Sequence, residues 1–299
     1  MPDGRKTEAR HAHAIGIDAL EPIEVLRHLA QAQAEAAAVV EAAVPQIATA
    51  AELAASALTS GGRLIYAGAG SSGLMAMADA LELPGTYGIA HDRIVVLLAG
   101  GSASLTYLAG GYEDDRNLAR RDIENTGVGD KDCLLVATAS GSTPYALEVA
   151  DVARERGAKV VALANNPEAP LFALADVAIL LATPPEVIAG STRMGAGTAQ
   201  KIAFNMLSTM VGIHLGHVHD GHMVNLKADN AKLKGRAARM IGDIAAVSPE
   251  EADRLLEASG GSVKAAILIA GGAANAAVAG RLLKANDNNL RRALAALKA

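Results

Sequence analysis

Three short segments of this sequence contain residue types that can do chemistry. Residues 68–73 read GAGSSG and match the dinucleotide fingerprint G-x-G-x-x-G, with Ser71 and Ser72 as added hydroxyls. Glu82 lies in DALELPGTYG, and Glu113 lies in GGYEDD. Two carboxylates that face one substrate can act as general base and general acid when their surroundings separate their pKa values.

The glycine-rich turn has a hydroxyl-rich counterpart further along the chain. The segment ATASGSTPY places Ser140, Ser142 and Thr143 after an apolar run and before a helical pattern. Hydroxyls and backbone N–H groups at two helix N-termini favour one phosphate dianion, although serine and threonine are also ordinary helix caps. The predicted phosphate-binding residues are Gly70, Ser71, Ser72, Ser140, Gly141, Ser142 and Thr143.

The same region of the sequence counts against a nucleotide ligand. A dinucleotide site needs an acid about 20 residues after the glycines, at the end of the second strand, where this chain reads LLAGGSAS. Asp92 precedes that strand and would lie at the wrong edge of the sheet. Neither hydroxyl-rich loop contains a basic residue, and the sequence has no GxxxxGK[ST] motif. A small monophosphate is therefore expected rather than a nucleoside triphosphate.

Each glutamate also has a purely structural explanation. We predict that a helix ends at Pro84, which would make Glu82 a solvated residue of its last turn. An acid is unfavourable there because that end of the helix dipole is negative. Glu113, Asp114 and Asp115 would complement the dipole in the first turn of a helix. The residue patterns alone leave both explanations open.

Five apolar runs alternate with helical patterns and predict the sheet that positions these residues. Runs that are apolar throughout are typical of parallel strands covered on both faces, and ligands bind at the carboxyl ends of such strands. We predict an α/β fold with a doubly wound, flavodoxin-like parallel sheet, followed by a small all-helical C-terminal domain. The predicted strands are residues 63–68, 93–100, 133–139, 159–165 and 177–183. The predicted helices are 22–58, broken near Pro45, then 193–215, 223–242 and a helical bundle from about Ser248.

The composition of the chain narrows the possible classes of function. The 299 residues carry a formal net charge of -5, which leaves no basic surplus for binding nucleic acid. Cys133 is the single cysteine, which excludes an internal disulfide and fits a reducing cytoplasm. The N-terminus is polar, and the uncharged stretch over residues 265–280 is too short for a membrane span. We expect a soluble, cytoplasmic protein that binds neither nucleic acid nor membranes.

Several of these motifs occur together in one known family. GGRLIYAGAGSSG, DALELPGTYG, GGYEDD, ASGSTPY, GSTRMGAGTAQKIAFNMLSTM and MVNLKADNAKL follow the order and spacing seen in bacterial N-acetylmuramic acid 6-phosphate etherases. TEARHAHAIGID, from residue 7, is similar to the opening of that family, so the resemblance covers essentially the whole chain from there. The most specific part is the segment GTAQK…NMLST.

The resemblance implies a sugar isomerase (SIS) fold and a carbon–oxygen lyase reaction. A glutamate would remove the C2 proton of the open-chain sugar, the C3 D-lactyl ether would leave with help from an acid, and water would then add. The products would be N-acetylglucosamine 6-phosphate and D-lactate, formed without a metal or redox cofactor. The acid/base glutamates of the family correspond to Glu82 and Glu113. Its phosphate-binding hydroxyls correspond to Ser71, Ser72, Ser140, Ser142 and Thr143.

The resemblance also implies how the chain is organised. An N-terminal helical arm would cover residues 1–50, a SIS sugar-phosphate-binding domain 51–220, and a helical region 221–299. A homodimer is expected because sites in this fold family are completed by a second subunit.

Some residues depart from the family pattern. Leu74 and Ser142 stand where the family has arginines, and Leu81 replaces a serine beside Glu82. Two cations are thus missing from the substrate-facing loops, which leaves room for a different sugar phosphate or weaker binding. Two other functions stay open at this point. One is a non-catalytic sugar-phosphate sensor, like the glucokinase regulatory protein, and the other is a sugar-phosphate isomerase, which would not need the second glutamate.

Further polar residues lie downstream of the predicted sheet. Ser191 and Lys201 are possible substrate contacts, and Lys201 could equally be a solvated charge. The segment HLGHVHDGHMV contains four histidines between His214 and His222, which makes a transition metal conceivable. Because this segment is expected only to link two helices, we predict no metal site.

Overall fold

The computed structural model describes residues 6–226 and 231–298. The chain forms two compact units. Unit 1 comprises Met1–Leu81 and Asp92–Ser208, and unit 2 comprises Glu82–His91 and Thr209–Ala299.

Unit 1 is built around one sheet of five parallel strands in the order β2-β1-β3-β4-β5. The predicted doubly wound α/β fold is therefore confirmed. Gly68, the last residue of β1, pairs with Leu98 on one side and Ala137 on the other, so three strands end level at the carboxyl edge. The strands are β1 Leu64–Gly68, β2 Ile94–Leu98, β3 Cys133–Thr138, β4 Lys159–Ala164 and β5 Val177–Leu180.

The helices of unit 1 follow the predicted alternation with the strands. The predicted break near Pro45 is a short 3-10 turn, Val39–Ala43, after which Pro45 occupies the first turn of α2, where its missing N–H costs little. The helices that begin in this unit are α1 Pro22–Ala38, α2 Val44–Thr59, α3 Gly70–Tyr87, α4 Gly111–Asp114, α5 Arg116–Asn125, α6 Pro144–Glu155 and α7 Gly195–His214.

The prediction that a helix ends at Pro84 is wrong, because α3 continues through Pro84 to Tyr87. Proline cannot donate the usual hydrogen bond inside a helix, and this disfavours the extra turn. Burial offsets that loss: Leu83 is fully buried, Tyr87 is nearly so, and the Tyr87 hydroxyl donates to Thr209 Oγ1 at 2.8 Å.

One helical stretch, Pro22–Thr59, is long and apolar enough to cross a membrane by length and composition. The core helix of a water-soluble protein passes the same test. Its second half, α2, packs against β1, β3 and β5, and buries Ile47, Ala50 and Ala54 there. That half is a core helix of unit 1.

The amino edge of the sheet holds its charges in pairs. Asp132 accepts from the Arg63 backbone N–H at 2.8 Å and from the Arg63 guanidinium at 2.6 Å, and it is almost completely buried. Burial alone would raise the pKa of Asp132, but the hydrogen bonds from Arg63 outweigh it and hold that pKa below its ordinary value. Lys159 and Asp176 form a second pair at 2.8 Å that is far more exposed.

The central strand of the sheet, β3, begins with the single cysteine. Cys133 begins β3, is completely buried and is free. Burial raises the pKa of its thiol to about 12.

The C-terminal part of unit 2 is helical, as predicted. Ser248 caps α9 by accepting from the Glu251 N–H, with Pro249 as the first helical residue. Lys264 is 3% exposed and donates to the Asn288 carbonyl oxygen at 2.9 Å, and burial lowers the pKa of its ammonium group to about 8. The helices are α8 Ala231–Ala245, α9 Pro249–Ala258, α10 Val263–Ala270, α11 Ala276–Ala285 and α12 Leu290–Lys298.

The predicted helix over residues 223–242 begins later than expected. Residues 223–226 carry no helix, because the chain makes a turn there after an isolated bridge between His219 and His222. Residues 227–230, which include part of the motif MVNLKADNAKL, lie outside the described residues.

Candidate active site

The glycine-rich turn leads from β1 into the N-terminus of α3. Gly70 has a φ of +52°, a conformation that a side chain would strain. A Cβ at this position would also lie 2.6 Å from Glu113 Oε1, so the absence of a side chain allows the Glu113 carboxylate to approach the backbone. Gly70 therefore leaves the space that the carboxylate of Glu113 occupies.

A cavity of about 380 Å³ opens at the carboxyl edge of the sheet. Most of its lining is hydroxyl groups, backbone and two carboxylates, and all of it belongs to unit 1. The lining residues are Thr7, Glu8, Ala69, Gly70, Ser71, Ser72, Leu108, Glu113, Thr138, Ala139, Ser140, Thr143, Gly190 and Thr192.

Glu113 lies in the four-residue helix α4, as expected of a residue near a helix start. Its side chain is half-buried at the cavity wall. Burial raises the pKa of Glu113, and the neighbouring charge of Asp114 raises it further. A carboxyl group with a raised pKa can exchange a proton closer to neutral pH.

The second hydroxyl-rich loop forms a connected network. Thr138 Oγ1 lies 2.6 Å from Thr143 Oγ1 and 3.3 Å from Ser140 Oγ. Ser140 Oγ also accepts from the backbone N–H and the hydroxyl of Ser142 at 3.1 and 3.2 Å. These contacts fix the hydroxyls before any ligand binds.

Two residues of this loop support the cavity without lining it. Ser142 orients Ser140 through the two hydrogen bonds just described. Gly141 has a φ of +75°, and a Cβ there would collide with the Cβ of Ala169 at 2.2 Å. Gly141 therefore allows the close approach of two loops.

Three further residues predicted for the site are also absent from the cavity lining. Glu82 is exposed on α3 and belongs to unit 2, whereas the cavity is lined by unit 1. Ser191 is half-buried between two lining residues. Lys201 is exposed on α7. Within one chain, therefore, the cavity contains Glu113 but not its predicted partner.

Eight lining residues, among them Thr7, Thr138, Gly190 and Thr192, were not predicted from the sequence. Thr138 is simply the last residue of a buried strand, and Thr7 is a buried residue whose hydroxyl accepts from Asn166 Nδ2 at 3.1 Å. Gly190 and Thr192 enter from the loop before α7. The only sequence signals were the family-like openings of TEARHAHAIGID and GSTRMGAG, which carry no chemistry that singles these residues out.

The histidine-rich segment does not gather ligands for a metal. Within residues 6–226 and 231–298, no group of three or more histidine, cysteine, aspartate or glutamate side chains could hold an ion. His219 and His222 pair through their backbones, and burial lowers the pKa of His217 to about 4.

Comparison with known proteins agrees with this architecture. Residues 27–165 and 123–210 each match a model of the SIS domain. The chain is 42% identical over 269 residues to the N-acetylmuramic acid 6-phosphate etherase of Deinococcus radiodurans, covering 90% of this chain and 88% of the relative. It is 40% identical over 290 residues to the enzyme of that name from Streptomyces avermitilis, covering 97% and 93%. A phosphoheptose isomerase structure from Francisella tularensis aligns with a TM-score of 0.48 and 22% identity, over 65% of this chain and 98% of that one.

The parallel sheet and its cavity are thus those of a SIS-domain protein. At this identity and coverage, the chain belongs to the N-acetylmuramic acid 6-phosphate etherase family, which confirms the resemblance seen in its motifs.

Proposed function

We propose that this protein cleaves the D-lactyl ether of N-acetylmuramic acid 6-phosphate, giving N-acetylglucosamine 6-phosphate and D-lactate. The observation that carries the proposal is the half-buried Glu113 carboxylate, with its raised pKa, in a hydroxyl-lined cavity of a chain about 40% identical to proteins of that name. The phosphate would bind the hydroxyls of Ser71, Ser72, Ser140 and Thr143 and the N–H groups at the start of α3.

The reaction proceeds by elimination and then hydration. A carboxylate takes the C2 proton of the open-chain aldehyde, the C3–O bond breaks, and a carboxylic acid protonates the leaving lactate oxygen. Water then adds across the C2–C3 double bond, with its hydroxyl at C3 and a proton at C2. Glu113 is one of the two acid/base groups and Glu82 is the other.

A homodimer supplies Glu82 to the cavity. Glu82 is exposed and absent from the cavity lining of its own chain, so a second copy is the natural donor. The segment beside α4 exposes Leu105, Tyr107 and Leu108, and Tyr107 is 75% exposed, which suits burial against another subunit. We place this enzyme in the cytoplasm, in amino sugar metabolism and the recycling of peptidoglycan.

The decisive experiment measures D-lactate release from N-acetylmuramic acid 6-phosphate. Glu113→Gln and Glu82→Gln should each abolish release, whereas Glu52→Gln, at an exposed acid of α2 outside the cavity lining, should leave it nearly unchanged. No release by the natural protein would contradict the proposed function. Activity that survives Glu82→Gln would remove Glu82 from the mechanism.

Mixing the two inactive variants tests the shared site. If each cavity takes Glu113 from one chain and Glu82 from the other, half of the randomly paired dimers contain one intact cavity. Activity should then recover to about a quarter of the natural level after subunit exchange. No recovery would place both glutamates in the same chain's site.

A further inference from the structure

The loop between β5 and α7 contributes to the cavity that also contains Glu113. Two of its residues, Gly190 and Thr192, line the cavity, and Ser191 lies between them. Residues 187–194, here called the 187–194 loop, precede the first turn of α7 directly. The position of the 187–194 loop therefore determines where part of the cavity wall lies.

A single buried carboxylate holds the two ends of this loop together. Glu186 is 5% exposed and directly precedes the loop. Its Oε2 accepts from the backbone N–H of Gly195 at 2.9 Å, and its Oε1 accepts from the backbone N–H of Ala196 at 2.9 Å. Both oxygens are thus bound to the first N–H groups of α7, where the helix dipole favours a negative charge.

The local packing is fitted to this contact. A Cβ at Gly195 would lie 3.1 Å from Glu186 Oε2 and 3.1 Å from the Cβ of Ala36, which is tighter than ordinary contact. The loop also closes on itself, because the N–H of Gly197 donates to the Thr192 carbonyl oxygen at 2.9 Å. The Gly197 contact joins Thr192 to the first turn of α7, so a shift of that turn away from Glu186 would also move Thr192.

We propose that Glu186 is a positioning residue that holds the 187–194 loop against the bound sugar phosphate. It does not reach the cavity itself, and it acts through the position of Gly190, Ser191 and Thr192. This inference rests on the proposed function of the cavity. It assigns to Glu186 an effect on substrate binding rather than on proton transfer.

The first test separates binding from chemistry. Glu186→Gln places an amide NH2 group against one of the two N–H donors, so the bidentate contact is lost with little change in shape. KM and the Kd for N-acetylglucosamine 6-phosphate should rise about tenfold, while kcat stays within about threefold. Glu168→Gln, an exposed carboxylate in another loop, is the matched control and should change neither.

The second test measures how often the 187–194 loop opens. Arg193 is exposed within the loop, so trypsin cleavage after Arg193, followed by mass spectrometry, reports how often the loop opens. Cleavage there should be at least about fivefold faster in Glu186→Gln, with other sites unchanged, and N-acetylglucosamine 6-phosphate should slow it in the natural protein. If Glu186→Gln does not fold, Gly195→Ala crowds the same carboxylate, and Gly280→Ala in α11, where the added Cβ has no atom within 4 Å, is its control.

The outcomes separate the two proposals. An unchanged Kd or an unchanged rate of cleavage after Arg193 overturns the role of Glu186. Absence of D-lactate release by the natural protein overturns the proposed function, and the cleavage measurement still decides on Glu186, since it needs no catalysis.

Discussion

The two edges of the sheet in unit 1 use polar residues in opposite ways. At the amino edge, cations and carboxylates neutralise each other, as Arg63 and Asp132 do in a nearly buried pair. At the carboxyl edge, the charged residues that line the cavity are Glu8 and Glu113, and no cation of the described chain joins them in the lining.

This difference shows which polar groups stabilise the fold and which are available for a ligand. At the amino edge, Arg63 is already paired with Asp132, and Lys159 with Asp176, so these charges have little capacity left for a substrate. The hydroxyls of the carboxyl edge hydrogen-bond to one another rather than to charged groups, as Thr138, Ser140 and Thr143 do. A phosphate dianion can replace those contacts, because hydroxyls can rotate to donate to it. Substitutions at the carboxyl edge should therefore change mainly activity, and substitutions at the amino edge should change mainly stability.

The largest effect is expected where a methyl group would displace Glu113. Gly70→Ala puts a Cβ 2.6 Å from Glu113 Oε1, so the carboxylate must move, and kcat should fall about 100-fold or more. Gly101→Ala is the matched control, because Gly101 has a similar φ of +56° but no atom within 4 Å of the added Cβ. Steady-state release of D-lactate measures both variants. Equal losses in the two variants would attribute the effect to backbone strain alone.

A smaller effect on activity is expected from the hydroxyl network. Thr143→Val keeps the shape of the side chain and removes a hydroxyl 2.6 Å from Thr138, so KM should rise about 10- to 100-fold through lost phosphate contacts. Thr49→Val, on the exposed surface of α2, should leave KM unchanged. A change in kcat with no change in KM would argue against phosphate binding at this loop.

At the amino edge the expected effect is on stability. Asp132→Ala leaves the partly buried guanidinium of Arg63 without its carboxylate and should lower the free energy of unfolding by about 2–4 kcal/mol, with KM unchanged. Lys159→Gln breaks a pair whose lysine is 53% exposed and should cost less than about 1 kcal/mol. Chemical denaturation measures both. A raised KM in Asp132→Ala would show that the two edges are not independent.

A further effect on stability concerns a buried charge that lacks an opposite charge. In the described part of the chain, no carboxylate forms an ion pair with Lys264, whose pKa is lowered to about 8. A lysine with a pKa lowered in the folded state binds its proton more strongly when unfolded, so stability should rise as the pH increases from about 8 to about 10.5. The gain should be about 1–3 kcal/mol, seen as a rise in Tm of unit 2. Lys264→Met should flatten this pH dependence, and an unaltered slope would contradict the assignment.

The sheet and the hydroxyl loops were predictable because each rests on local patterns. Runs that are apolar throughout identify buried parallel strands, and parallel strands bring the loops of Ser71 and Ser140 to one edge. Glu113 could be assigned to the site only through the family resemblance, because its residue pattern also fits a first-turn acid of a helix.

Other parts of the site depend on tertiary contacts that no local pattern encodes. Pro84 predicts a helix end, yet the burial of Leu83 and Tyr87 carries α3 past it. Thr7 reaches the cavity through a hydrogen bond from Asn166, a residue 159 positions away. Glu186 has no recognisable motif around it, because its partners are backbone N–H groups rather than side chains.

Because Cys133 is buried, alkylation of its thiol can be used to measure unfolding of the natural protein. Only the thiolate reacts with alkylating reagents, and a fully buried thiol with a pKa of about 12 stays protonated and shielded. Labelling must therefore wait until β3, the central strand, is exposed to solvent. Because the chain has one cysteine, the rate of alkylation counts openings of the sheet directly, without an introduced label.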